Sequence, residues 1–157
     1  MKKIIYAIVV ILCLIQFIPT QINIQSTDMK NDISTLYTVP DDVKEILKTS
    51  CNDCHSNYTE LPSYAKFQPV KMYLARHVKN GKKHLNFSEF ATYDAKRQQK
   101  KIDEIAEEVE EHNMPLSSYT LIHTDAKLDD AKIQVLKSWV EGIQQNKTVV
   151  SDSVSIN

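Results

Sequence analysis

The stretch DDVKEILKTSCNDCH, residues 41–55, places a helical pattern directly before two cysteines and a histidine. Val43, Ile46 and Leu47 recur at helical spacing, which predicts a helix over residues 41–50 with these side chains buried. The two cysteines and the histidine follow at the end of this helix as C-x-x-C-H. This segment therefore predicts both the first helix of the domain and the candidate site.

The C-x-x-C-H pattern, formed by Cys51, Cys54 and His55, is typical of covalent c-type haem attachment. Two thiols three positions apart at a helix end can reach the two vinyl groups on one porphyrin edge. The adjacent imidazole then falls beneath the iron as its proximal ligand. We therefore predict one haem c, bound covalently to Cys51 and Cys54, with His55 as the proximal iron ligand.

Three other uses of the cysteine pair stay open as alternatives. A thioredoxin-like thiol pair needs a βαβ context, whereas this region shows helix and loop patterns. A zinc site needs a second ligand pair, and the third cysteine, Cys13, lies in an apolar N-terminal run. A disulfide between Cys51 and Cys54 would close a very small loop. A haem-free thiol or disulfide protein is thus one alternative, and a zinc protein is another.

A low-spin electron carrier needs a sixth iron ligand, which is usually methionine or histidine. Met114 lies in Asn-Met-Pro-Leu at a predicted helix break, where Pro115 prevents further helix. We predict Met114 as the distal ligand, with His123 as the alternative. An open or exchangeable sixth position would instead indicate a haem-based sensor or a peroxidase-like protein.

The composition of the 157 residues favours an all-α fold. The chain has only 2 glycines, whereas average usage would give about 11. Rossmann folds, P-loops and β-sandwiches need glycine in their tight turns and are disfavoured. We predict further helices over residues 69–81, 94–111 and 129–141, with Gly81 and Gly142 as the C-caps of the first and last.

Charge argues against nucleic acid as a partner, because the formal net charge is −1. Within this balance, residues 66–101 hold ten Lys or Arg and two acids, and residues 102–111 hold six acids. A solvated helix explains this segregation, and a docking surface for a charged redox partner is the functional alternative.

The N-terminal residues 1–24 have the pattern of a membrane-directed segment. Lys2 and Lys3 precede an apolar run over residues 4–18, which predicts that everything beyond it lies outside the cytoplasmic membrane. Small residues that would mark a cleavage site are missing after the run, which favours an uncleaved anchor over a cleaved signal. We expect a domain that faces the periplasm from the membrane, or that is secreted to the periplasm if the segment is cleaved.

Several separated motifs together resemble one bacterial family, the haem-binding domain family of small cytochrome c-like proteins common in Bacteroidetes. The resemblance covers about residues 38–143. It rests on the following stretches: Val39-Pro-x-x-Val43, Ser50-Cys-x-Asp-Cys-His-Ser-Asn57, Pro62, His77-Val78, Leu85-Asn-Phe-Ser88, Met114-Pro-Leu and Tyr119…His123…Leu128…Trp139. One departure is Ser63-Tyr64, where such sequences often carry tryptophan.

The resemblance implies a cytochrome c-like helical domain around covalent haem, with the same attachment and proximal residues and with Met114 distal. It also implies that the first and last helices of the domain cross beside the haem, where Trp139 packs. We therefore divide the chain into a membrane anchor or signal (1–24), a linker (25–38), the haem-binding domain (39–143) and a flexible tail (144–157). The predicted function is single-electron transfer to an unidentified redox partner, without enzymatic activity.

Overall fold

A computed structural model describes the backbone of residues 1–154 and the side chains of residues 1–145. This part of the chain contains helices and no strand, which confirms the all-α prediction. The α-helices are α1 (Lys2–Ile15), α2 (Asp41–Ser50), α3 (Asn52–His55), α4 (Val70–His84), α5 (Ala95–Glu110), α6 (Ser117–Thr120) and α7 (Asp130–Val154). Short 3₁₀ turns occupy Ile33–Thr35, Ser63–Lys66, Phe87–Thr92 and Thr124–Ala126.

The main core lies where α5 and α7 pack together and α2 packs on α7. All three apolar residues of the α2 pattern are buried, as predicted. Trp139 of α7 is 7% exposed, and its indole Nε1 donates to the Thr38 carbonyl, 3.0 Å away, just before α2. This hydrogen bond holds α7 against the chain that enters α2, and α2 in turn leads to the cysteine motif at its other end.

The two glycines do not cap helices, so both cap predictions are wrong. Gly81 lies inside α4 and Gly142 inside α7, and neither has a positive φ. A Cβ at Gly81 would lie 2.5 Å from the Cys54 carbonyl oxygen, so this position is glycine because α4 approaches α3 closely. A Cβ at Gly142 would meet nothing within 4 Å.

The last helix also continues beyond its predicted end at Glu141, since α7 extends to Val154. Residues 155–157 of the predicted tail lie outside the described residues. The flexibility of the tail and the domain boundaries stay predictions.

The N-terminal apolar run forms α1, which has 14 residues and buries none of them. Among the described helices, none combines the length and the apolar character needed to cross a membrane.

The chain after α1 packs onto the helical domain. Gln16 Nε2 donates to the Gln68 carbonyl, and Gln68 N–H donates to Gln16 Oε1, at 3.1 and 3.0 Å. Ile22 and Asn23 are buried, and Ile33 of the predicted linker belongs to the main core. The predicted linker therefore contributes to the fold.

Candidate functional site

The cysteine motif occupies a break between two helices. Cys51 has non-helical backbone angles (φ −126°, ψ −45°) and separates α2 from α3. Its N–H still donates to the Leu47 carbonyl, and its own carbonyl accepts from His55 N–H, both at 3.0 Å. Cys51 and Cys54 are half-buried free thiols. The structure thus brings together the two predicted attachment residues and the predicted proximal ligand on one helical turn.

Burial keeps both thiols protonated near neutral pH. It raises the pKa of Cys51 to about 12, with the Cys54 thiol adding to the effect. It raises the pKa of Cys54 to about 11, with the Asp53 carboxylate adding to the effect. Reactive redox cysteines have lowered pKa values in electropositive surroundings. The environment of this pair is therefore the opposite of the one that a thiol–disulfide enzyme requires.

The imidazole of His55 is held by a backbone carbonyl. Nδ1 lies 3.0 Å from the Leu85 oxygen, and the edge of the Phe87 ring packs against the imidazole with 6.4 Å between centroids. Burial lowers the pKa of His55, although the Leu85 and Gly81 carbonyls oppose this shift. A neutral imidazole that donates from Nδ1 keeps its lone pair on Nε2, which is the form that binds metals.

A polar cluster with two buried asparagines restrains the chain next to Leu85. We call it the asparagine clasp, and it consists of Asn57, Asn86 and Glu89. Asn86 Nδ2 donates to Asn57 Oδ1 at 2.9 Å, and Asn57 Nδ2 donates to Glu89 Oε1 at 2.7 Å. Asn86 N–H also donates to the hydroxyl oxygen of Tyr93 at 2.9 Å. Because Asn86 follows Leu85 directly, the clasp restrains the carbonyl that orients His55.

Sequence reasoning did not assign a role to the clasp. Asn57 and Asn86 both belong to the short motifs that carry the family resemblance, and this was the signal that could have found them. The Leu85 carbonyl had no such signal, because any residue supplies a backbone acceptor.

Asp53, between the two cysteines, ties the motif to a distant segment. Its Oδ1 accepts from Glu60 N–H and its Oδ2 accepts from the Tyr119 hydroxyl, both at 2.8 Å. Burial raises the pKa of Tyr119 strongly, and the Asp53 carboxylate raises it further. The Tyr119 ring stacks on His123 with centroids 4.4 Å apart, and His123 Nε2 lies 2.7 Å from the Tyr64 hydroxyl. His123, the alternative iron ligand, is thus engaged by two tyrosines.

Met114 lies in the turn between α5 and α6, where its N–H donates to the Glu108 carbonyl at 3.1 Å. The side chain is 36% exposed. We call residues 114–123 the distal strap, since Tyr119 and His123 fasten it near the motif. The strap also exposes Leu116, Leu121 and Ile122. The structure does not place Met114 within the hydrogen-bonded surroundings of His55, and its role as a ligand stays a prediction.

The donor set fits a covalently attached haem. Two free thiols lie one helical turn apart, next to a neutral histidine with an oriented ring and an aromatic neighbour. No three His, Cys, Asp or Glu side chains among the described residues, those of this motif included, are grouped so as to hold a metal ion by themselves.

Comparison with known proteins gives one match. The model of a family described as a haem-binding domain matches residues 10–142. Neither the search of curated proteins nor the search of solved structures finds a match.

Proposed function

The chain belongs to the haem-binding domain family, and we propose from this that it carries one covalent haem c and transfers single electrons on the periplasmic side of the membrane. The observation that carries the proposal is the contact of His55 Nδ1 with the Leu85 carbonyl, beside two free thiols. It orients one imidazole with Nε2 as the ligand atom. When bound, haem supplies an iron that gains or loses one electron.

The proximal residues have separate roles in this proposal. Cys51 and Cys54 would hold the haem through two thioether bonds, each formed by addition of the S–H group of a protonated thiol across a vinyl group. His55 would bind the iron through Nε2. The asparagine clasp and Phe87 keep the imidazole in place. We propose a carrier and not an enzyme, because no bound substrate is required for this role.

On the distal side, we propose that Met114 supplies the sixth ligand. The strap that carries it is fastened at Tyr119 to Asp53 of the motif itself. A thioether ligand and an apolar pocket both favour a raised reduction potential. The exposure of Met114 favours one alternative, a sensor or peroxidase-like protein in which the strap leaves the sixth position exchangeable.

We further propose that α1 directs the chain to the cytoplasmic membrane, with the domain facing the periplasm. Lys2 and Lys3 stand before its apolar residues, and α1 buries none of its residues against the rest of the chain. If the segment is cleaved, the domain is secreted to the periplasm. The amino-terminal sequence of the mature protein, taken from membrane and periplasmic fractions, decides between an anchor and a signal.

The proposal is tested by expressing the full chain with the c-haem maturation machinery. We expect a covalent haem stain that is lost in Cys51→Ala/Cys54→Ala, and a Met–iron charge-transfer band that is lost in Met114→Ala. His123→Ala is the matched control, and it should keep the band.

Two results would contradict the proposal. A high-spin spectrum in the intact protein, with rapid carbon monoxide binding, would support the sensor or peroxidase-like alternative. A negative haem stain after matured expression would support a haem-free thiol protein.

A further inference from the structure

A groove of about 500 Å³ lies between residues 21–24 and one face of α4. Its lining contains three cations, Arg76, Lys79 and Lys82, and no acid. These residues are spaced by three along the helix and therefore lie on neighbouring turns of one face. The groove is thus basic along its α4 side.

The charges of these three residues are not neutralised by carboxylates in direct contact. None of them takes part in the salt bridges found among the described residues. Lys82 Nζ donates to the Asn23 amide oxygen at 2.7 Å, and burial lowers the pKa of Lys82, which Glu89 partly opposes. An amide accepts a hydrogen bond but carries no countercharge, so the groove keeps its attraction for an anion.

The remaining lining of the groove is largely apolar. Ile22 and Val78 are buried at its base, Ala75 is half-buried, and Ile24 is 56% exposed. A site that combines three cations with aliphatic side chains on both walls fits an amphiphile with an anionic head group. Inorganic anions would contact the cations and leave the aliphatic side chains without a partner.

The groove is also close to α1 in the fold. Gln68 Nε2 donates to the Ile18 carbonyl at 3.2 Å and to Thr20 Oγ1 at 2.8 Å, so the chain leaving α1 is held near the start of α4. Residues 21–24 then form one wall of the groove. A lipid surface that contacts α1 would therefore lie near this basic face.

We infer that this groove binds the phosphate head group of an anionic phospholipid, with the glycerol and upper acyl carbons against Ile22 and Ile24. The inference rests on the proposed attachment of the chain to the membrane. Its consequence is a fixed orientation of the domain on the lipid surface, because the contact lies outside α1. Basic residues near an anionic bilayer are attracted to it.

The test uses the haem-loaded full chain with vesicles of phosphatidylcholine alone or of an equal mixture with phosphatidylglycerol. We expect backbone amides of α4 to exchange hydrogen several-fold more slowly with the mixed vesicles only. The variant Arg76→Gln/Lys79→Gln/Lys82→Gln should lose this difference. A matched control, Lys48→Gln/Lys96→Gln/Lys127→Gln, removes the same charge from exposed positions elsewhere and should keep it.

A second arm uses short-chain phosphatidylglycerol without vesicles, so that it does not depend on insertion of α1. Protection of α4 there, together with failure to bind any vesicle, would contradict the membrane proposal but support the groove. Equal protection by both vesicle types would overturn the groove. Equal protection of α4 by inorganic phosphate would also overturn it. So would unchanged lipid protection in Arg76→Gln/Lys79→Gln/Lys82→Gln, even if that variant shifts the reduction potential of the haem.

Discussion

The two sides of the candidate site are built differently. The side that holds His55, proposed as proximal, is supported by the asparagine clasp, in which Asn57 and Asn86 are buried and each side-chain oxygen and nitrogen has a hydrogen-bond partner. The distal strap is fastened by the contacts of Tyr119 and His123, while Leu121 is 79% exposed. The surroundings of His55 are therefore closely hydrogen-bonded, whereas the strap that we propose for the distal side has exposed apolar side chains.

The strongest test of the proximal side is Asn57→Ala. It leaves the Asn86 amide without its acceptor and the Glu89 carboxylate without its closest donor. Unsatisfied buried groups of this kind cost about 3 kcal/mol in total. We expect that loss in the free energy of unfolding of the haem-free protein, measured in urea, and a lower yield of attached haem. Asn80→Ala, at an exposed position of α4, is the control, and equal losses in both variants would show that the clasp is unimportant.

The next largest effect is expected for Gly81→Ala. The new Cβ would meet the Cys54 carbonyl oxygen at 2.5 Å, so α4 must move away from α3. Overpacking of this kind costs about 2 kcal/mol. Gly142→Ala is the matched control, because its Cβ meets nothing and helix propensity favours alanine by about 1 kcal/mol. Thermal unfolding of both variants tests the pair, and a stabilised Gly81→Ala protein would contradict the close approach.

These two positions also show what the sequence could and could not reveal. Helical spacing was sufficient to predict α2 and α5, because their apolar residues recur every three or four positions among charged ones. The same reasoning failed at Gly81, since a glycine near a predicted helix end suggests a cap, and only the packing of α4 on α3 shows its real role.

For the site too, local patterns in the sequence were informative, whereas contacts between distant segments were not. The spacing of Cys51, Cys54 and His55 was sufficient to predict three candidate residues that the structure brings together, because they are neighbours in the chain; their attachment to haem stays a proposal. The contact of His55 with Leu85 spans 30 residues, and the Gln16–Gln68 pair spans 52. Such contacts depend on the folded topology, and no local pattern encodes them.

On the distal side, Tyr119→Phe removes one of the strap's fastenings. The lost hydrogen bond to Asp53 is worth about 1 kcal/mol, since Asp53 keeps its bond from Glu60 N–H. We expect faster carbon monoxide binding by the reduced haem protein and a weaker Met–iron band, with covalent attachment unchanged. Tyr58→Phe, at a residue that is 47% exposed, should leave both signals as they are. Carbon monoxide kinetics identical to wild type would show that the strap does not control the sixth position.

The smallest expected effect is a pH dependence of the stability of the haem-free protein. Because the pKa of His55 is lowered from its ordinary 6.5, the unfolded chain binds more protons than the folded one below that pH. Stability should therefore decline as pH falls from 6.5 toward the folded-state pKa.

The carboxyl groups act in a lower pH range. The pKa values of Asp41 and Glu104 are lowered by Lys44 and Lys101, so their contributions are lost only below the ordinary values of 3.8 and 4.5. Above that range, the urea midpoint should depend less on pH in His55→Gln than in the wild type. A slope that survives in His55→Gln would assign it to another group.

The contact of His55 with the Leu85 carbonyl has a consequence for how such a site can vary. A backbone oxygen is present whatever side chain occupies position 85, so point substitutions there alter packing and leave the acceptor in place. Substitution of Leu85 therefore does not remove the hydrogen-bond acceptor that orients the imidazole. Substitutions at other positions can still alter it, for example at Asn57, Asn86 or Gly81, whose side chains or lack of one hold the backbone in position.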